Sequence, residues 1–220
     1  MRHFVFLAVL FLVAVSARAE SVTSAPAIAT VRQPVALAVV GVLDSNVVER
    51  ARRWAEDNLA IPVPMIAGPD AAGLSSFNDV STKAASLLSS DRLGMVVLWM
   101  PDSDIANHGA YFPAERVAVV NMKAMMDAPD EETAARRVER QVIRGICLVM
   151  GLEPNPNPQS AMYGYSLREE LDLIGRNLDP PWLLKLQEKA LESGIPVNYD
   201  NPFSMVFPPM PSEPENLPQE

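Results

Sequence analysis

Two continuous apolar runs constrain the fold of this chain more than any other feature of its sequence. Residues 35–42 read VALAVVGV and residues 94–100 read GMVVLWM, with no charged residue in either run. A strand with one face in water alternates apolar and polar residues, whereas an unbroken β-branched run is typical of a strand covered on both faces. The sequence therefore predicts a central sheet with helices packed against it.

The remaining periodic segments indicate how this sheet is built into an α/β (α+β) domain. Asp44 or Ser45 can cap a helix that continues to Leu59. Further helices are predicted over 80–88, 131–150, 166–174 and 181–193, with a short edge strand over 62–66 and an edge-like strand over 114–122. Gly151 is expected to end the helix of 131–150 in a left-handed conformation. Ser166 is expected to cap the next helix, with Glu169 at its third position.

The two ends of the chain differ in composition from the middle. Residues 1–19 contain a basic start, an apolar run and Ala17-Arg18-Ala19, which is the pattern of a signal peptide cleaved after Ala19. Residues 20–33 are small and polar, and we expect them to be flexible. We predict one domain over 34–195, followed by a proline-rich acidic tail over 196–220 that is expected to be disordered.

Charge and cysteine content narrow the classes of function. Cleavage after Ala19 leaves 16 basic against 27 acidic residues, a formal charge of −11. Since nucleic acids are bound by basic surfaces, no nucleic-acid partner is expected. No second apolar run is long enough to span a bilayer, so the chain is predicted to be a secreted or periplasmic protein without an integral membrane span after cleavage. Cys147 is the single cysteine, which excludes an internal disulfide and favours a small buried hydrophobe.

The strongest functional signal lies between residues 144 and 163. Residues 144–154 read RGICLVMGLEP, and SAMY follows at 160–163. This spacing resembles the HExxHxxGxxH helix and the Met-turn of archaemetzincins, a branch of the metzincin zinc peptidases, and the likeness extends loosely over residues 35–191. The resemblance implies a zincin-like fold: a mixed twisted sheet with packed helices, a long former active-site helix, a Met-turn-like loop and a C-terminal helix.

In that family motif, two His one helical turn apart bind zinc and the adjacent Glu polarises the metal-bound water. Matched position by position, the ligand and general-base positions of the motif carry other residues here: Arg144, Gly145, Leu148 and Pro154. None of these four side chains binds zinc. The scaffold residues of the motif persist as Gly151 and Met162. The resemblance therefore implies a non-catalytic relative with no catalytic residue, no metal and no cofactor.

Two residues are candidates for binding, and the first, Arg144, lies at the former metal position. Arg144 would place a fixed positive charge there, where it either forms an internal ion pair or receives an acidic group of a peptide. Its internal partner would be one of three acidic residues, Glu169, Glu170 or Asp172. His108 lies in a loop and is a surface residue or a second binding residue. The other arginines of the helix, Arg136, Arg137 and Arg140, are predicted to be on its solvated side.

Three functions remain open at this stage. The leading interpretation is an exported, non-catalytic archaemetzincin-like protein that binds a peptide or protein beside the former substrate-side strand. The first alternative is an active zinc metallopeptidase with ligands drawn from other side chains, namely His108, Asp102, Asp104 and Glu153. The second alternative is a structural envelope protein that uses its proline-rich tail as a contact segment.

The predicted cleavage site can be tested directly. We expect the exported protein to begin at Glu20, and an Ala19→Arg variant to keep its leader because signal peptidases accept small residues at this position. Mass spectrometry of the purified proteins measures both outcomes. Ala29→Arg, which lies beyond the site, is the matched control and should be cleaved normally. A wild-type exported protein that still carries Met1 would contradict the prediction.

Overall fold

The computed structural model describes residues 32–200. The predicted signal peptide, most of the 20–33 segment and residues 201–220 of the predicted tail lie outside this range. Arg32 and Gln33 already have partners, because Arg32 N–H donates to Ser193 O over 3.2 Å and Gln33 forms a parallel bridge with Arg92. Within residues 32–200, no helix is long and apolar enough to cross a membrane.

The core of the domain is a four-stranded mixed sheet. Its strands are β1 (Ala36–Val40), β2 (Met95–Trp99), β3 (Gly109–Phe112) and β4 (Val117–Asn121). They lie in the order β1-β2-β4-β3, with β1, β2 and β4 parallel and β3 antiparallel to β4. The two apolar runs are β1 and β2, and all five residues of β2 are buried. The predicted mixed sheet is therefore confirmed.

One predicted strand is absent, and another is present but not at the edge where it was expected. Residues 62–66 form no strand and touch the sheet through one bridge between Met65 and Leu37, because Pro62 and Pro64 lack the N–H groups that a ladder needs. The strand expected at an edge over 114–122 is β4, which is fully buried and interior. The strand at that edge is β3, and β1 forms the opposite edge. The four residues of β3 are too few and too mixed to show a period in the sequence.

Helices cover both faces of the sheet, as the apolar strands require. The helices are α1 (Ser45–Leu59), α2 (Phe77–Ala85), α3 (Met122–Met126), α4 (Glu131–Val149), α5 (Arg168–Leu171) and α6 (Pro180–Glu192). Alternate residues of each strand point to opposite faces. The face of the sheet that includes Val97 packs against α2. The opposite face, which includes Val96, packs against α1, α4 and α6.

Helix α4 has well-defined ends. Asp130 caps its first turn by accepting a hydrogen bond from Thr133 N–H at 2.7 Å. At the other end Leu152 N–H donates to Cys147 O and Gly151 N–H donates to Leu148 O, each at 2.9 Å. This pair of bonds is a Schellman motif, which needs a left-handed residue, and Gly151 has φ +77°. The predicted role of Gly151 is confirmed.

The helix after α4 is shorter than predicted. Helix α5 is a single turn, and the carboxylate of Glu170, rather than Ser166 with Glu169, satisfies the backbone at its start. Glu170 Oε2 accepts hydrogen bonds from Ser166 N–H at 2.7 Å and from Leu167 N–H at 3.0 Å. The glutamate that caps this helix is thus one position later than predicted. The residues that follow α5 form irregular structure up to α6.

Two arginines of α4 that were predicted to be solvated are buried. Arg137 is 3% exposed and donates to both carboxylate oxygens of Asp172, at 2.8 and 2.6 Å. Arg140 is 7% exposed and donates to Ile174 O at 3.2 Å. Arg136 remains exposed and pairs with Glu132. The prediction failed because the chain after α4 folds back over this face and supplies acceptors for the guanidinium groups.

A buried carboxylate links α4 to α1. Glu139 is fully buried, and its two oxygens accept hydrogen bonds from Arg50 at 2.8 Å and Arg176 at 2.5 Å. Arg176 also lies over the ring of Trp54, 3.4 Å from its centre, while Arg50 donates to both oxygens of Glu132. Because every charge in this group has an opposite charge beside it, the group joins three parts of the chain without an unpaired ion.

These ion pairs predict how stability depends on pH. Hydrogen bonds from Arg50 and Arg136 lower the pKa of Glu132 to about 2, and those from Arg52 and Arg53 lower the pKa of Glu49 to about 2. The unfolded chain binds these protons near the ordinary value of 4.5, so it binds more protons than the folded chain between pH 4.5 and 2. Stability should therefore hold above this window and fall as the pH drops through it.

Thermal unfolding followed by circular dichroism across this pH range measures the effect. Arg50→Gln should make the acid-dependent loss of stability smaller, because Glu132 then titrates closer to its ordinary pKa. Lys185→Gln is the control of equal charge change, since Lys185 packs on Trp182. Equal pH dependence in the wild type and in Arg50→Gln would contradict the prediction.

Helix α4 approaches the sheet closely at Gly145. A Cβ atom at this position would lie 2.9 and 3.0 Å from the methyl groups of Val96 and 3.3 Å from Cβ of Ala118. Both neighbours are buried in strands, so neither can move freely. Position 145 therefore has no room for a side chain unless the helix shifts away from the sheet.

Gly145→Ala tests this contact. Alanine ordinarily stabilises a helix relative to glycine, but here overpacking should lower the free energy of unfolding by about 1–3 kcal/mol. Gly164→Ala is the matched control, because a Cβ there has no neighbour within 4 Å, and it should change stability by less than about 0.5 kcal/mol. Urea denaturation with an unchanged m-value measures the difference. A stabilised Gly145→Ala protein would show that the contact is not tight.

Candidate functional site

A cleft of about 580 Å³ opens between the edge of the sheet and α4. Its first wall is the 106–108 loop with β3, its floor includes β4, and its second wall is the middle of α4 with residues 165–169. The side chains discussed below that line it are His108, Tyr111, Gln141, Arg144, Leu148, Tyr165 and Glu169. It lies beside β3, whose outer side pairs with no other strand in residues 32–200.

Three of the four positions matched to the zinc motif line this cleft. Arg144, Gly145 and Leu148 are on its α4 wall, and His108 faces them from the loop before β3. Pro154 is exposed and lies outside the lining. The structure thus brings together Arg144 and His108, the two residues predicted to bind, although they are far apart in sequence.

Met162 holds the loop that follows α4. Its side chain is fully buried, its carbonyl accepts a hydrogen bond from Asn155 N–H at 3.0 Å, and its N–H donates to Ser160 Oγ at 3.3 Å. The loop is therefore closed on itself around a buried methionine. This closure presents the carbonyls of Ala161 and Tyr163 towards α4.

Arg144 donates hydrogen bonds to those two carbonyls. Its Nη1 donates to Tyr163 O at 2.8 Å and to Ala161 O at 3.4 Å, and its guanidinium carbon lies 5.4 Å from the centre of the Tyr165 ring. Burial lowers the pKa of Arg144, but an arginine side chain does not lose its proton in proteins, so the guanidinium stays charged. The guanidinium is therefore a half-buried cation held in one orientation on the cleft wall.

The ion pair predicted for Arg144 is wrong for two of its three candidate partners. Asp172 pairs with Arg137, and Glu170 accepts hydrogen bonds from the backbone of Ser166 and Leu167. Glu169 is exposed and lines the cleft. Arg144 instead donates to neutral backbone carbonyls of the Met162 loop, because this loop reaches the end of the Arg144 side chain.

Two aromatic rings form the far side of the cleft. The rings of His108 and Tyr165 are stacked, with centres 5.7 Å apart and planes 12° apart. Burial raises the pKa of Tyr165, and the nearby Arg144 charge and Gln141 amide only partly offset this, so the phenol is neutral at physiological pH. Sequence reasoning missed Tyr165, because an irregular loop has no period from which a contact can be inferred.

Gln141 is a further residue that sequence reasoning missed. It is 6% exposed and lines the cleft, and within residues 32–200 its Nε2 makes no hydrogen bond of normal geometry, its neighbour being the Tyr165 hydroxyl. Gln141, Arg144 and Leu148 follow each other at three- and four-residue spacing, so they lie on one stripe of α4. That spacing is visible in the sequence and was the signal from which Gln141 could have been found.

The side chains at the motif positions do not fit zinc. Arg144 is a cation and Leu148 is a hydrocarbon, whereas zinc binds thiolate, imidazole or carboxylate. Among residues 32–200, no three His, Cys, Asp or Glu side chains are close enough together to hold a metal ion. Of the alternative donors considered, Asp104 pairs with Lys123 at 2.8 Å. Cys147, fully buried in the core, has its pKa raised by burial.

Comparison with known proteins identifies the fold. No protein-family model and no curated protein sequence matches the chain. Archaemetzincin from Methanopyrus kandleri is similar in structure, with a TM-score of 0.58 and 18% identity over 72% of this chain and 96% of that one. A zinc-dependent peptidase from Methanocorpusculum labreanum has a TM-score of 0.56 and 15% identity over 69% of this chain and 99% of that one. The chain therefore has the fold of these structures, as the motif spacing predicted.

Proposed function

We propose that this chain is an exported, non-catalytic protein of the archaemetzincin fold that binds an extended segment of a peptide or protein in the cleft. The observation that carries the proposal is the position of the cleft, which lies between the open edge of β3 and the face of α4 with Arg144 and Leu148. A peptide that adds a strand to an exposed sheet edge gains backbone hydrogen bonds, and neighbouring pockets select its side chains.

The register of β3 identifies the backbone groups available to such a peptide. Asn121 N–H donates to His108 O at 2.9 Å, so these two residues form a hydrogen-bonded antiparallel pair. Such pairs alternate along the ladder, which directs the backbone groups of Ala110 towards β4 and those of Gly109 and Tyr111 away from it. Gly109 and Tyr111 thus offer N–H and C=O groups on the side of β3 that pairs with no other strand in residues 32–200.

Two observations support the non-catalytic part of the proposal. The side chains at the first and second ligand positions, Arg144 and Leu148, contain no zinc-binding atom of the kinds that peptidase sites use. The position of the general base is Gly145, and its contact with Val96 leaves no room for a glutamate. The export part of the proposal rests on residues 1–19 of the sequence.

Binding and cleavage are best tested on the same peptides. A library of random linear peptides is screened for binding to the purified chain, and the selected peptides are incubated with it in added zinc and in chelator. We expect binding without cleavage in both conditions. Zinc-dependent cleavage would instead support a metallopeptidase with unusual ligands. Binding that is lost when residues 201–220 are deleted would support a contact function of the tail.

A proline in β3 tests where the peptide lies. Tyr111→Pro removes the outward N–H while sparing the ladder to β4, and Tyr111→Ala removes the same ring but keeps the N–H. The proline variant should bind at least about fivefold more weakly than the alanine variant, because one backbone hydrogen bond contributes about 1 kcal/mol. Fluorescence anisotropy with a labelled selected peptide measures both affinities. Equal affinities would place the peptide elsewhere on the protein.

A further inference from the structure

We infer that the cleft is a receptor for a carboxylate, which Arg144 and Gln141 bind with donors that make no hydrogen bond of normal geometry in the described chain. The inference rests on the proposed function for the origin of this group, which is either the free C-terminus of a bound peptide or one of its Asp or Glu side chains. Both sources present the same planar anion, and the two can be distinguished by experiment.

Arg144 is organised for a planar anion before any ligand arrives. Its Nη1 is anchored by the carbonyls of Tyr163 and Ala161, and within residues 32–200 its Nε and Nη2 make no hydrogen bond. A guanidinium presents its N–H groups in a rigid fork that matches the two oxygens of a carboxylate. Because the fork is already held by the loop, little side-chain entropy is lost when a ligand binds.

Gln141 supplies the second donor. Its residue is more than nine-tenths buried and lines the same cleft one helical turn before Arg144. Its Nε2 makes no hydrogen bond of normal geometry within the described residues, although it lies close enough to the Tyr165 hydroxyl to lower the pKa of that phenol. Buried donors in native proteins nearly always have a partner, so an unpaired one in a cleft indicates a missing acceptor. A carboxylate bound to Arg144 would place one of its oxygens next to the side-chain amide of Gln141.

The surroundings favour an anion over a cation. The Tyr165 ring covers Arg144 and stacks on His108, so the guanidinium is shielded from water on one side, which strengthens its attraction for a negative charge. Glu169 is the single acidic residue among those that line the cleft, and it is exposed. Replacing Glu169 with a neutral residue should therefore strengthen the binding of an anion, because it removes a negative charge from the cleft.

Matched peptides on the full chain test the inference. The probes are N-acetyl-tetra-alanine with a free carboxylate, its C-terminal amide, and the same amide with one alanine replaced by aspartate. We expect one of the two acidic probes to bind about ten- to hundredfold more tightly than the neutral amide, the range of one charged hydrogen bond. Which acid binds identifies the source of the carboxylate. Calorimetric titration measures the affinities.

Four variants assign the preference to residues. Arg144→Gln should abolish the difference between acidic and neutral probes, Arg144→Lys should keep part of it, Gln141→Leu should reduce it, and Glu169→Gln should increase it. Should Arg144→Gln fail to fold, the wild-type comparison of probes and the Gln141→Leu protein still decide the question.

The outcomes separate this inference from the proposed function. Equal binding of the acidic and neutral peptides would overturn the carboxylate receptor and leave peptide binding in place. If no peptide binds, but N-acetylglycine binds and Arg144→Gln abolishes that binding, the carboxylate receptor stands and the peptide-binding function falls. If the acids bind more tightly and the preference is unchanged by Arg144→Gln, the inference is wrong.

Discussion

Helix α4 lies against the sheet at a distance that Gly145 sets, and the other parts of the domain are arranged around this contact. A helix that is covered by the sheet on one side, by α1 on another and by the following loop on a third has almost no surface left for water. Its polar side chains must then find partners inside the protein. The buried charges of Glu139 and Arg137 each have an opposite charge beside them for this reason. Glu139 pairs with Arg50 and Arg176, and Arg137 pairs with Asp172.

Three arginines on one stripe of α4 hold the chain that returns over it. Arg137 binds the side chain of Asp172, Arg140 binds the carbonyl of Ile174, and Arg144 binds the carbonyl of Tyr163. Arg137 and Arg140 do not line the cleft. Arg144 is the last of the three and lines the cleft, so it joins helix to loop and still faces the cleft. The Arg144 cation thus connects α4 to the Met162 loop. In the motif that this sequence resembles, the same position carries the first zinc ligand.

The parts of the fold that sequence reasoning predicted are those governed by short-range rules. The buried strands β1 and β2 follow from their unbroken apolar runs, and the end of α4 follows from the conformational freedom of Gly151. Strand β3 and the burial of Arg137 depend on how distant segments meet, and a period within one segment contains no such information. In the cleft, Arg144 was identified from its position in the motif and His108 from its residue type, whereas Tyr165 came from a loop without a pattern. The orphaned amide of Gln141 needed three-dimensional coordinates.

The tight contact at Gly145 also limits the paths that evolution can take from this sequence. A chain with glycine touching Val96 cannot acquire a glutamate at this position in one step, because the larger side chain would first have to push the helix off the sheet. Proteins have only a small margin of stability, so intermediates that separate α4 from the sheet would be removed by selection. The packing at Gly145 therefore restricts this position to residues without a large side chain, whereas the exposed residues of the cleft are not restricted by it.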